Sequence, residues 1–518
     1  MMTTPTHTPL ASPETRSSTV DDVLARSARR TPQRNALHFA DRVWTYRELD
    51  NAVSRGAAFL TEFGLAPQAK VATYGRNSDA YLIAFLSCAR AGLVNVPVNY
   101  ALSGDELSYI LDQSEAELVL SDPDLADRVG DVCSVPNLPL HSEEHSFLAQ
   151  VQSGPVPTID RHVDDRDIVQ LLYTSGTTSK PKGAMMTHRA LVHEYASAIH
   201  ALDYAEGDTP LHAMPLYHSA GMHIYLLPYL AVGAINHLLE AADIPTILKT
   251  IEARSIGAIF LAPTVWVPLS QHPDFELRDL STLRKALYGA SIMPQPVLAT
   301  LQVALPELGF YNAFGQSELG PVATVLRPEE HHLRPTSCGR PVLNVEIRVV
   351  DADGDNVEPG ERGEILYRSP QLCLGYWKQP AETADAFRDG WFHSGDLVEI
   401  DAEGYITVVD RIKDVINTGG VLVASREVED ALYTHPAVTE VAVLGTPDDR
   451  WIEAVTAFVV TDRTVDEAEL IAHAKTSLAP YKIPKRIRFV DTLPRNASGK
   501  LLKRELRLSF DTVERIDL

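Results

Sequence analysis

Leu171-Leu172-Tyr173-Thr174-Ser175-Gly176-Thr177-Thr178-Ser179-Lys180-Pro181-Lys182-Gly183 is the stretch on which the reading of this chain turns. The apolar run from Ile168 to Tyr173 has strand character and empties into a loop crowded with hydroxyls, glycines and lysines. Thr174, Ser175, Thr177 and Thr178 supply O–H donors. Gly176 and Gly183 let the backbone turn and approach a ligand closely. Lys180 and Lys182 add positive charge. Such a loop suits a polyphosphate, whose oxygens take many N–H and O–H donors together with a cation.

The generic alternative is the loop G-x-x-x-x-G-K-[ST], and it fails in register. Counting from Gly176, the second glycine position holds Pro181, and Lys182 is followed by Gly183 where a Ser or Thr is required. Proline has no N–H to offer a phosphate. A P-loop NTPase is therefore excluded.

Working outward, helical and strand-like segments alternate from about residue 20 to 410, the pattern of α/β layers. Thr45 and Glu48 form a capping box ahead of Leu49, Val53, Ala57 and Leu60 at helical spacing, with Gly64 as the stop. Leu82 to Ala91 reads as a second packed helix. Val71–Tyr74, Ile259–Ala262, Lys285–Tyr288 and Phe310–Ala313 read as strands, and in open α/β sheets ligands gather outside the carboxyl ends of such strands. Composition shifts around residues 410–414. Beyond it a compact unit is predicted, with helices over Arg426–Tyr433 and Asp466–Leu478 and strands over Glu440–Leu444 and Ala454–Val460. Its tail is basic: Lys482 to Arg507 holds nine Lys/Arg against Asp491 and Glu505.

A chain of 518 residues exceeds one ordinary core, so two or more domains are expected. Hydrophobic residues at 45% and charged residues at 22% are those of a soluble globular protein. The net charge of −23 argues against general nucleic-acid or anionic-membrane binding. An acidic protein that binds a polyphosphate must build a local positive site against its own field, and the loop lysines would serve that need. Cys88, Cys133, Cys338 and Cys373 have no metal-ligand spacing and read as reduced thiols. The first eighteen residues, rich in Thr, Ser and Pro, read as a disordered tail and not as a signal peptide. The longest apolar region, Gly221 to Ile235, contains His223 and Pro228 and falls short of a transmembrane segment. With no peroxisomal tripeptide or lipidation box at Arg515-Ile516-Asp517-Leu518, a cytoplasmic protein is expected.

Further segments follow in a fixed order: Pro215-Leu216-Tyr217-His218-Ser219-Ala220-Gly221, Tyr288-Gly289-Ala290-Ser291, Tyr311-Asn312-Ala313-Phe314-Gly315-Gln316-Ser317-Glu318, Trp391-Phe392-His393-Ser394-Gly395-Asp396-Leu397, and Leu493-Pro494-Arg495-Asn496-Ala497-Ser498-Gly499-Lys500. Together with the 171–183 loop they resemble the motifs of the acyl-adenylate-forming superfamily, over nearly the whole chain from Val20 to Leu508. That superfamily includes acyl-CoA synthetases, aryl-CoA ligases, peptide-synthetase adenylation domains and beetle luciferases. The chain departs from the usual pattern at Ser179, where relatives have Gly, and at Ser317, where they have Thr.

The resemblance implies an α/β fold: a large N-terminal multi-subdomain α/β domain over residues 19–412 and a small mobile C-terminal α+β domain over 413–518, after the tail at 1–18. It implies the substrates ATP and coenzyme A, with Mg2+. In the ATP site it places Thr174, Ser175, Gly176, Thr177, Thr178 and Lys182 on phosphates, and Gly289, Ala290 and Ser291 along the adenine. Phe314 would stack on the adenine beside Gly315 and Gln316, and Ser317 would donate to the α-phosphate region. Asp396 would accept both ribose hydroxyls, and Arg411 would contact ribose and phosphate. Glu318, with Thr174, would hold the metal, since a hard cation wants oxygen ligands. Gly419 and Gly420 would open a loop that swings toward the acyl site, Trp451 would lie near the nucleotide end of CoA, and Lys413 would be the pivot. The loop's continuation, Val421-Leu422-Val423-Ala424-Ser425, differs from the polar pattern of many relatives. Lys500 would enter the site for adenylation, and His218 would gate or orient the carboxylate.

The activity implied is ATP-dependent conversion of a carboxylic acid to acyl-AMP and then to acyl-CoA. Peptide-synthetase adenylation domains, which this chain resembles, place an Asp early in the segment matching 215–221 to bind a substrate amine; none occurs here, so an amino acid is not expected. Met222, Ile224, Tyr225, Leu226 and Trp266 are candidates for an apolar acyl tunnel or for ordinary core, and a medium- or long-chain fatty acid is the expected substrate. An aryl or cinnamate acid, and an acyl carrier protein as thiol acceptor, are the alternatives. The resemblance implies an inserted segment late in the large domain for carrier-loading fatty acyl-AMP ligases; the short spacing from Glu318 to Trp391 shows no room for one, which favours CoA. A homodimer stays open. A non-catalytic acyl-nucleotide sensor is disfavoured by the presence of Glu318, Asp396, Arg411 and Lys500.

Overall fold

The computed structural model describes residues 17–141, 144–159, 162–174, 180–289, 293, 295–419, 421–448, 450–495, 501–503 and 505–507. The expected helix after Thr45 spans Tyr46–Glu62. Its capping box is closed in both directions: Thr45 Oγ1 accepts the Glu48 N–H at 3.2 Å, and Glu48 Oε2 accepts the Thr45 N–H at 2.8 Å. The second helix, Asp79–Ala91, starts three residues before the predicted Leu82 because Ser78 caps it. Asp79 in its first turn is buried and takes Arg42 at 2.6 Å and the Trp44 indole N–H at 2.8 Å. Gly92 closes the helix at φ +66°, a conformation that a side chain would strain.

Among the described residues, strands assemble into four sheets. The first runs Asn137–Pro139, Ala116–Ser121, Lys70–Tyr74, Val94–Val98, Ile168–Thr174, Lys182–Thr187, parallel throughout except for the last antiparallel pair. The second has nine strands and a parallel centre, which includes Lys285–Gly289 beside Gly309–Phe314. Helices Tyr46–Glu62, Asp79–Ala91 and His188–Ala201 share one core with Val71 and Leu118 of the first sheet and Leu37 and Leu238 of the second. A helical layer is thus clamped between two sheets, which explains why Asp79–Ala91 is buried on nearly every side. The third sheet is antiparallel and carries Trp391–Ile400 next to Ile406–Arg411.

The fourth sheet belongs to a small α+β domain with a core of its own, built from Ile416, Val428, Leu432, Val443, Val455 and Leu470. Its strands Val438–Asp448 and Ile452–Thr461 form a long hairpin, and Arg486–Phe489 adds in parallel. The predicted helix over Asp466–Leu478 is shorter, Glu467–Ala474. Asp466 is its N-cap, and at the other end the Thr476 hydroxyl bonds the His473 carbonyl at 2.7 Å and competes with further turns.

Among the described residues the four cysteines are free thiols, and no helix is long and apolar enough to cross a membrane. The apolar stretch from Gly221 instead forms a π-helical turn, Ala220–Leu226, followed by the helix Leu227–Val232.

Candidate active site

The strand Ile168–Thr174 delivers Thr174 at its carboxyl end, directly opposite Lys182 on the returning antiparallel strand. Behind that end lies a buried polar chain that fixes the strand. Asn95 Nδ2 donates to Thr73 Oγ1 at 2.8 Å, and Gln170 Nε2 donates to Asn95 Oδ1 at 3.2 Å. Gln170 Oε1 therefore accepts from His223 Nε2 at 2.6 Å, which assigns the proton to that nitrogen, and Nδ1 accepts the Tyr195 hydroxyl at 2.9 Å. Burial pushes the His223 imidazole down to about 3, so it is neutral, as this pattern requires.

The strand Gly309–Phe314 leads into a short turn, Ser317–Leu319, which carries Glu318. Glu318 is buried, and its Oε1 accepts two hydroxyls, Tyr376 at 3.0 Å and Thr174 at 3.2 Å. Burial, with the nearby Glu318 charge, raises the Tyr376 phenol, so it stays a donor. The Lys182 ammonium lies over the Tyr376 ring, 5.0 Å from its centroid. Ser317 Oγ lies 2.9 Å from Ser219 Oγ, which ties the turn to the 215–221 segment. His218, beside Ser219, accepts the Ala220 N–H at Nδ1 at 3.3 Å. Gly221 has no room for a side chain: a Cβ there would sit 2.4 Å from the Pro215 carbonyl.

The third sheet supplies the other wall. Gln316 Nε2 donates to Asp396 Oδ2 at 2.5 Å and to the Ser394 carbonyl at 2.9 Å. Arg411 Nε lies 2.7 Å from Asp396 Oδ1, and Arg411 Nη1 donates to Ser394 O at 3.0 Å. Phe314 is half-buried against the core below it. Gly289 pairs with Ala313, and a Cβ at Gly289 would stand 2.4 Å from the Ala313 carbonyl; Gly315 is as tight, 2.0 Å from Pro321 O. The two strands approach here as only glycine permits.

Thr174, Lys182, Gly289, Phe314, Gly315, Gln316, Ser317, Glu318, Asp396 and Arg411 are thus linked through strand pairing and side-chain contacts, with His218 joined through Ser219. Gly419 and Trp451 form a separate pair on the small domain, where Gly419 N donates to Trp451 O at 2.5 Å and the indole packs over the glycine. Ser175, Gly176, Thr177, Thr178, Ala290, Ser291, Gly420 and Lys500 lie outside the described residues. Sequence reading missed Tyr376. A tyrosine in Gly375-Tyr376-Trp377 carries no local pattern that would join it to a glutamate 58 positions earlier. The tunnel candidates are buried in three different cores: Met222 and Leu226 in one, Ile224 and Tyr225 in a second, Trp266 in a third.

Oxygen ligands from Glu318 and Thr174 fit Mg2+. Among the described residues no group of three or more His, Cys, Asp or Glu could hold a metal, so a cation here would draw its remaining ligands from phosphates and water.

Comparison with known proteins gives the family. The AMP-binding enzyme family matches residues 24–377, and the AMP-binding enzyme C-terminal domain matches 427–500. The chain is 36% identical to a feruloyl-CoA synthase of Amycolatopsis sp over 492 residues, covering 94% of this chain and 98% of that protein. It is 32% identical to the fatty acid–[acyl-carrier-protein] ligase ScoC of Streptomyces coeruleorubidus, covering 93% and 96%. Its fold is similar to the anthranilate CoA ligase AuaEII solved with anthranoyl-AMP, at TM-score 0.88, 26% identity and coverage of 95% and 97%. The protein belongs to the AMP-binding, acyl-adenylate-forming family, as an AMP-forming acyl-CoA synthetase.

Proposed function

We propose that this protein activates a compact aromatic or arylalkenoic acid as its adenylate at the cradle between Thr174, Glu318 and Asp396, and passes the acyl group to the thiol of CoA. The observation that carries the placement is the contact between Thr174 and Glu318. Residues 144 positions apart, one at the mouth of a phosphate-type loop and one on a metal-type turn, meet at 3.2 Å. Gln316, two residues from Glu318, bonds Asp396 and joins the third wall.

The chemistry follows from charge. A carboxylic acid is ionised at neutral pH and needs no general base. Its oxygen attacks the α-phosphorus of ATP; an O–P bond forms, the bond to the β-phosphate oxygen breaks, and pyrophosphate leaves. The protein's part is to position the groups and to neutralise charge that builds on the phosphates. Lys500 bridges carboxylate and α-phosphate, and Lys182 serves the departing phosphates. Asp396 and Arg411 hold the ribose, and Phe314 stacks on the base. Glu318 and Thr174 would hold Mg2+, which would supply further neutralisation of the phosphates. In the second half-reaction the CoA sulfur attacks the acyl carbon, AMP leaves, and the thiol proton is released. A thiol is only a few per cent ionised at neutral pH, so the two halves make different demands. We place the domain boundary at 412/413, with Lys413 as the pivot about which the small domain changes its presented face.

An aromatic acid is favoured over the fatty acid expected from the apolar run. The would-be tunnel side chains are divided among three packed cores. Tyr225 is itself enclosed by Tyr204, Tyr229 and His212, with ring centroids 5.9, 5.1 and 4.8 Å away. The similarity to a feruloyl-CoA synthase and an anthranilate CoA ligase points the same way. The similarity to a fatty acid–carrier protein ligase supports the second reading, a fatty acid delivered to a carrier thiol. Pyrophosphate exchange over cinnamic, benzoic, indolic and C6–C16 fatty acids, followed by product analysis with CoA and with a holo carrier protein, separates the two. Preference for the aryl acids and for CoA is expected. Exchange confined to fatty acids would overturn the substrate assignment.

A further inference from the structure

The segment 373–377 runs between the two halves of the cradle and is hydrogen-bonded to both. On one side the Cys373 N–H donates to the Glu318 carbonyl at 2.8 Å. On the other, Leu374 N donates to Met185 O at 3.0 Å, Met185 N to Gly375 O at 2.9 Å, and Trp377 N to Gly183 O at 2.8 Å. This strap therefore binds the turn that carries Glu318 to the strand Lys182–Thr187.

Tyr376 sits at the crossing. Its hydroxyl donates to Glu318 Oε1 at 3.0 Å, and its ring lies beneath the Lys182 ammonium at 5.0 Å. Thr174 donates to the same Oε1 at 3.2 Å. Glu318 Oε2 has no hydrogen-bond partner among the described residues. Two donors on one oxygen stop the carboxylate from rotating and leave the other oxygen facing away from them.

We infer that Tyr376 is a positioning residue for the nucleotide's divalent cation, its hydroxyl clamping Glu318 through Oε1 while its ring holds Lys182 opposite Thr174. This rests on the proposed reading of Glu318 as the carboxylate that takes the cation. Orientation by such an outer partner commonly changes metal affinity about 10- to 100-fold. The ring and the hydroxyl are separable. Tyr376→Phe keeps the cation–π face and the buried packing while removing the clamp; Tyr376→Leu removes both.

The test is equilibrium binding of α,β-methylene-ATP to the full chain, titrated with Mn2+ and read by equilibrium dialysis of the nucleotide and by the electron paramagnetic resonance of free Mn2+. Tyr376→Phe is expected to raise the Mn2+ concentration for half-maximal nucleotide binding about 10-fold. Its metal-free nucleotide affinity and thermal midpoint should stay at the wild-type values. Tyr376→Leu should in addition weaken triphosphate binding relative to AMP, because Lys182 loses its seat. Glu318→Gln calibrates the measurement. A Tyr376→Phe protein with the wild-type Mn2+ midpoint, alongside a Glu318→Gln protein with a raised one, would overturn the inference and leave Glu318's role standing. Wild-type midpoints in both variants would overturn the reading of Glu318, and the inference with it.

Discussion

Across the antiparallel strands Trp391–Ile400 and Ile406–Arg411, Asp396 stands opposite Arg411, with the guanidinium Nε 2.7 Å from the carboxylate Oδ1. The other carboxylate oxygen is taken by Gln316 at 2.5 Å. Asp396 is nearly buried, so its charge is carried by these two partners and not by water. A carboxylate held in one plane between two donors is rigid, which suits the recognition of two adjacent hydroxyls.

Asp396→Asn keeps the shape but puts an amide N–H where an acceptor is needed and leaves Arg411 without its counter-ion. The KM for ATP should rise at least ~10-fold, with the KM for the acid little changed. Steady-state kinetics with each substrate varied in turn checks this. Parallel rises in both would point to general misfolding of the cradle instead.

The neutral His223 makes a pH prediction with a defined sign. In the unfolded chain the imidazole takes up its proton near the ordinary value of 6.5, whereas in the folded protein burial holds it to about 3. The stability it contributes is intact above 6.5 and is lost as pH falls from there toward 3. Replacing it with Gln removes one proton from the linkage. Between pH 7 and 5 the loss of stability should be smaller in His223→Gln than in the wild type by about 2 kcal/mol. Urea unfolding at the two pH values measures it, and equal losses would refute the assignment of the buried neutral ring. The comparison cancels the opposing effect of Glu194, whose acid is raised by burial in both proteins.

Where the small domain meets the third sheet, Lys503 lies 2.8 Å from Glu429 and donates to Ser425 Oγ at 2.6 Å. Asp410 accepts the Ser425 N–H at 2.6 Å. Burial opposes the Lys503 charge, but Glu429 and Asp410 outweigh it and hold the ammonium above the usual lysine range. Lys503→Met would strand the two carboxylates without a cation. A loss of about 3–5 kcal/mol is expected in denaturant unfolding. An unchanged midpoint would show that this cluster contributes nothing to the docking of the two elements.

Local signals in the chain were sufficient for several elements, whereas the residues of the cradle were named through the resemblance of the ordered motifs. The Thr45–Glu48 box is complete within four residues, so the helix Tyr46–Glu62 could be read without its surroundings. The strands Ile168–Thr174, Lys285–Gly289 and Gly309–Phe314 were legible because buried parallel strands are short apolar runs that end in polar turns. The sheet order was not, since a parallel sheet pairs strands distant in sequence: Asn95 meets Gln170 across 75 positions. The π-helical turn at Ala220–Leu226 was hidden as well, because its spacing matches neither a helix nor a strand period. Tyr376 went unmarked for the same reason as the sheet order. Its meaning lies wholly in Glu318 and Lys182, which only the folded chain brings to it.

We propose that Lys500 serves the first half-reaction and not the second. The direct measurement compares Lys500→Ala with the wild type in two assays: acid-dependent exchange of pyrophosphate into ATP, and acyl-CoA formation from supplied acyl-AMP. The account predicts that exchange falls by about three orders of magnitude or more while thioester formation from acyl-AMP stays close to the wild-type rate. Equal losses in the two assays would contradict it.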